Sequence, residues 1–112
     1  LNLIYHITKK ETWVKALANN LYDFCTLKTS GFIHCSTHLQ YLEVANRLFK
    51  NETKDLVLLA INEKLIDSNV VYENLEGGTE LFPHIYGPLN LNAVTQAYNF
   101  TKNKRGDFAP LF

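Results

Sequence analysis

At 112 residues, with 46% apolar and 20% charged side chains, the chain can bury one hydrophobic core but not two. Such a composition excludes a disordered protein and predicts one domain over residues 1–112. Eleven basic side chains balance eleven acidic ones, which argues against a dedicated nucleic-acid or anionic-membrane binder. Neither a membrane-length apolar run nor a charged-then-apolar leader is present, so no membrane partner is expected and a cytoplasmic address is. Cys25 and Cys35 form no C-x-x-C pair and are expected as reduced thiols.

Residues 3–8, LIYHIT, alternate as a strand, with Leu3, Tyr5 and Ile7 on one face and Ile4, His6 and Thr8 on the other. Thr8 is placed to cap a helix running to Asn19, with Glu11 completing a capping box. Trp13, Ala16 and Leu17 form its apolar stripe. Leu21, Tyr22, Phe24 and Leu27 are too apolar for a free connection and are expected to lie over the sheet. A second strand is expected over residues 31–36, GFIHCS. Thr37 then caps a second helix over 38–50, whose stripe is Leu42, Ala45, Leu48 and Phe49. The continuous apolar run at 55–61 predicts a central strand covered on both faces. A turn or short helix at 63–66, a strand at 69–73 and a last strand at 92–100 follow. Val94, Gln96, Tyr98 and Phe100 share one face of that strand. The tail from residue 101 holds Lys102, Lys104 and Arg105 as a solvated basic group but ends apolar, and is expected to fold back onto the body. Two early helices and a block of strands define an α+β class.

Residues 70–90, VVYENLEGGTELFPHIYGPLN, concentrate Glu73, Glu76, Glu80 and His84 with aromatic rings, three glycines and two prolines. Carboxylates, an imidazole and rings on a constrained backbone are the materials of a small-molecule site. The plainer reading is an irregular connection whose rings fill the core edge. Glu80 follows Gly-Gly-Thr and precedes Leu-Phe-Pro, so it either faces a ligand or pairs with a nearby lysine. Of the four histidines, His34 and His38 are separated by a strand-to-helix break, so no recognisable zinc spacing exists and no metal is expected. Cys35 is a formal nucleophile candidate, but it falls on the face opposite His34, and a buried thiol is the simpler reading.

The motifs YHIT (5–8), GFIHCS (31–36), VYENLEGG (71–78) and ELFPHIYGPLN (80–90) resemble the domain of unknown function 952 family over residues 3–100. That resemblance implies a fold similar to ADP-ribosyltransferases, with split mixed or antiparallel sheets around a cleft that clamps NAD in active relatives. By the same resemblance His6 contacts the adenosine side, Thr8 is a further cofactor-binding residue, His34 and Ser36 line the nicotinamide side, and Glu80 steadies an oxocarbenium-like transition state. His84 is then available as acid or base. The implied activity is ADP-ribosyl transfer or NAD hydrolysis, the partner being a small nucleotide. Ile7 stands where a glycine is usual, and Arg47 and Arg105 are the only arginines. Both departures keep open a cleft that binds a small metabolite or nucleotide without chemistry.

Overall fold

The apolar run at the centre of the chain forms a strand over Leu56–Asn62 whose first six residues are buried. The computed structural model describes residues 2–23, 29–75 and 77–112. Phe24, Cys25, Leu27 and Glu76 lie outside the described residues. Along the chain run β1 (Leu3–Lys9), α1 (Lys10–Asn19), β2 (Ile33–His34), α2 (Tyr41–Leu48) and β3 (Leu56–Asn62). A 3-10 turn (Glu63–Leu65), β4 (Asn69–Glu73), β5 (Phe82–Tyr86), a second 3-10 turn (Leu91–Ala93) and β6 (Val94–Phe100) follow. The strands make two three-stranded sheets, ordered β1-β3-β6 and β2-β5-β4. Every pairing is antiparallel, so the α+β class and the split sheets hold without mixed pairing among the described residues.

β3 explains why the core is double. Val57, Leu59 and Ile61 join Ile4, Trp13, Tyr22, Ile33 and Ile85 between the two sheets. Leu56, Leu58 and Ala60 face the other way, onto Tyr41 and Ala45 of α2 and onto Phe100 and Phe108. Each full burial of such an aliphatic side chain contributes about 1.5–3 kcal/mol, so β3 anchors both layers. In β6 a bulge opposite Ala60 and Ile61 breaks simple alternation. Val94 therefore packs with Ala97 on the inter-sheet core, and not on the face of Tyr98 and Phe100.

Several local expectations are corrected by tertiary contacts. Thr8 does not cap α1. The strand runs on through Lys9, which takes the N-cap position without a side-chain bond, and the Thr8 hydroxyl is bonded to Tyr22. Leu17 is exposed, because α1 turns only Trp13 and Ala16 inward. Leu48, expected on the α2 stripe, is exposed as well. The second helix starts at Tyr41, later than expected. There the Gln40 side chain accepts the Thr37 N–H at 3.0 Å, while the Thr37 carbonyl accepts the N–H groups of Gln40 and Tyr41. The GFIHCS strand contracts to Ile33–His34, extended by one bridge in which Ser36 and Tyr5 exchange backbone hydrogen bonds of 2.7 Å.

No strand is expected between Glu73 and Asn92, yet Phe82–Tyr86 is the middle strand of the second sheet. Pro83 is tolerated there because it sits opposite Cys35, just past the end of β2. Its carbonyl accepts the Cys35 N–H at 3.0 Å, and only the reciprocal bond, which proline cannot donate, is missing. The tail folds back as expected. Phe108 is buried, Phe112 rests on Tyr5, Tyr41 and Tyr98, and Lys102 donates to the carbonyls of Lys50 and Glu52. Lys102 is thus a structural residue, not part of a solvated end.

Candidate functional site

The second sheet turns Ile33, Val70 and Ile85 toward the core. Period-two alternation and the β4–β5 and β2–β5 registers then put Phe32, His34, Glu73, Phe82, His84 and Tyr86 together on its opposite face. Phe32 stacks on His84 with ring centroids 4.2 Å apart and lies 4.5 Å from His34. The His34 and His84 rings meet edge to face at 5.5 Å. His84 is buried, and its Nδ1 lies 2.8 Å from Glu73 Oε2. The Tyr86 hydroxyl donates to that same oxygen. These two donors, Tyr86 first and His84 second, hold the Glu73 carboxyl below its usual range, and the bond to Glu73 pushes the Tyr86 phenol up. Glu73 is therefore an ionised acceptor whose Oε1 has no partner among the described residues. Because Nδ1–H is directed at a carboxylate, His84 presents Nε2 as its second functional atom.

A cleft of about 490 Å³ opens beside this face, between it, the end of β1, the start of α1 and the last turns of α2 at Val44, Arg47 and Leu48. That volume falls within the ordinary range for small-molecule sites. The cleft begins where the two sheets part company, just beyond the Tyr5–Ser36 bridge. His6, Thr8, His34, Ser36 and His84 all line it, so the structure gathers five of the six residues expected at a site. Their roles differ. His6 is buried, with Nδ1 2.5 Å from the His34 carbonyl and Nε2 2.8 Å from the Tyr22 hydroxyl. Burial lowers its pKa to about 4, so the ring is neutral, Nδ1–H donates to the carbonyl and Nε2 accepts from Tyr22. Thr8 lies 2.9 Å from the same phenol oxygen. Ser36 is buried and tied to Tyr5 through its backbone, while the His34 ring is exposed.

Glu80 stands apart. It is exposed after the Gly77–Gly78 turn, accepts from Gln40 Nε2 at 3.1 Å, and faces a neighbouring hollow of about 340 Å³. Glu43, Arg47 and Asn74 share that hollow. Glu73 and Glu11 are the carboxylates that line the main cleft, and Glu73 lies in the segment marked by the sequence without being singled out there. Its signal was weak, because the match with His84 and Tyr86 depends on the β4–β5 register. Tyr22, which holds His6, comes from the connection expected to lie over the sheet and is buried in the inter-sheet core, but nothing local marked its hydroxyl as the partner of His6. Cys35 packs in the inter-sheet core, and burial pushes its thiol far up, which fits the buried-thiol reading. Among the described residues no three His, Cys, Asp or Glu side chains gather in metal-binding geometry, and no helix is long and apolar enough to cross a membrane.

Fold and site together define a small α+β domain of two antiparallel sheets, with a ligand-sized cleft beside a Glu–His–Tyr network. The family described as protein of unknown function, DUF952, matches residues 7–97, and the chain belongs to it. It is similar to protein CC0527 from Caulobacter crescentus at 30% identity. The crystal structure of that protein aligns over 96% of this chain and 93% of its own, with a TM-score of 0.83. The solution NMR structure of CC0527 aligns over 99% and 93%, with a TM-score of 0.81. No curated protein matches the chain.

Proposed function

We propose that the cleft binds NAD or a related nucleotide or nucleoside and cleaves its N-glycosidic bond, passing the ribosyl group to water or to an acceptor, with Glu73 as the working carboxylate. Glu73 carries this reading, since Oε2 is clamped by His84 and Tyr86 while Oε1 remains for a ligand. A carboxylate so oriented can accept ribose hydroxyls and steady positive charge on the sugar as the C1′–N bond breaks and its electron pair leaves with the base. Water or an acceptor hydroxyl then bonds to C1′, and His84 Nε2 takes its proton. The exposed His34 ring, backed by buried Phe32 at 4.5 Å, offers an aromatic surface to the departing base. Two sheets splayed about a cleft at the end of β1 support the ADP-ribosyltransferase-like reading of the fold.

A second reading, binding without chemistry, is favoured by His6. Both its ring nitrogens are engaged inside the protein, so it has nothing to offer an adenosine-side ribose unless a buried network breaks. The two readings separate by calorimetric titration of NAD together with nicotinamide release. For the first, Glu73→Gln lowers turnover by about 10²–10³-fold while binding changes little, and Glu80→Gln retains turnover. Loss confined to Glu80→Gln returns the role to Glu80. Binding without release in the unaltered protein selects the silent cleft, and binding of neither NAD nor nicotinamide riboside at millimolar concentration refutes both.

A further inference from the structure

We infer that the cleft takes a phosphate-free N-riboside, a nucleoside with a neutral or cationic aromatic base, in preference to any nucleotide carrying a pyrophosphate. This rests on the reading above and narrows its substrate class. The main cleft and the smaller hollow share Arg47, Asn74 and Phe82, so they adjoin and a dinucleotide has a continuous route from one into the other. Along that route, two cationic side chains, Lys9 and Arg47, stand against four carboxylates, Glu11, Glu43, Glu73 and Glu80, of which Glu11 is paired with Lys54 at 3.6 Å. Arg47 at the junction is already bonded to Glu43 at 3.0 Å.

Two local features of the second hollow add to this charge balance. The Gly78 N–H in the second hollow donates to Asn74 Oδ1 at 3.0 Å and is therefore already engaged within the protein. Glu43 sits in the first turn of α2, where a phosphate would otherwise meet the positive end of the helix. An aromatic base suits the main cleft, where Phe32, Phe49 and Phe82 contribute rings, and a ribose suits the free oxygen of Glu73. A pyrophosphate at the junction would meet carboxylates on both sides, whereas a pyridinium riboside would be attracted.

The test compares calorimetric titrations of nicotinamide riboside and NAD at low and high salt, in the unaltered protein and in Glu43→Gln/Glu80→Gln. The expected result is riboside binding about tenfold tighter or more at low salt, with the gap narrowing in salt and in the double variant. NAD binding as tightly as the riboside overturns the inference and leaves the proposed function standing. A gap that the double variant does not narrow removes its electrostatic basis. Binding of neither ligand overturns both the inference and the function on which it rests.

Discussion

His6 makes the protein's stability depend on pH in a window that an ordinary surface histidine would not affect. Its ring is neutral and buried, and protonation would place a charge where Nε2 must still accept from Tyr22. The folded pKa of about 4 lies below the unfolded value of 6.5, so the unfolded chain takes up the proton first. The stabilisation is therefore complete above pH 6.5, falls progressively as pH drops toward about 4, and levels off below that. A gap of about 2.5, at roughly 1.4 kcal/mol for each pH unit, amounts to about 3 kcal/mol. That is a large share of the roughly 5–15 kcal/mol that holds a domain folded. Urea unfolding at pH 7.5 and pH 4 measures it, with His6→Asn as the reference that keeps a donor for the His34 carbonyl but cannot titrate. The stability advantage of the unaltered protein over the variant should shrink by about 3 kcal/mol between the two pH values. An unchanged difference, or a His6 ring resonance that titrates near the usual value, would refute the buried neutral imidazole.

Two further outcomes follow from the packing. Phe108→Ala empties a buried site against Phe100 and is expected to cost about 3–5 kcal/mol in thermal or urea unfolding; a loss below 1 kcal/mol would show that the tail is not part of the core. Cys35, with its thiol held protonated by burial, should resist alkylation at pH 8 in the folded protein and react fully in urea, as read by peptide mass mapping. Rapid native labelling at Cys35 would reopen it as a reactive thiol.

Elements whose signal is local were legible in the sequence. The run at 55–61 needs no partner to read as a buried strand, because it is apolar at every position after Asp55 and is followed by the polar Asn62. The alternation of residues 3–8 likewise places His6 and Thr8 on one face. Boundaries failed where a distant group took over a local role. Thr8 has the chemistry of an N-cap, but Tyr22 offers its hydroxyl a buried partner, so the strand continues one residue further. Pro83 argues against a central strand, and only the shortness of β2 makes the position harmless. The face of Val94 depended on a bulge, which hydropathy does not encode.

The site divides along the same line. Its ingredients lie in the sequence, since residues 70–90 contain both Glu73 and Glu80 with His84 and Tyr86, and the DUF952 motifs are contiguous stretches. The amino-acid order alone decided that this is one α+β domain with a double-sided central strand, because hydrophobic periodicity is a property of neighbours along the chain. Which glutamate faces the cleft was decided only when β4 and β5 paired. A register shift of one residue would turn Glu73 away from His84 and toward the core. The neutral state of His6 was likewise settled by burial and by Tyr22, two conditions that no local pattern of residues contains.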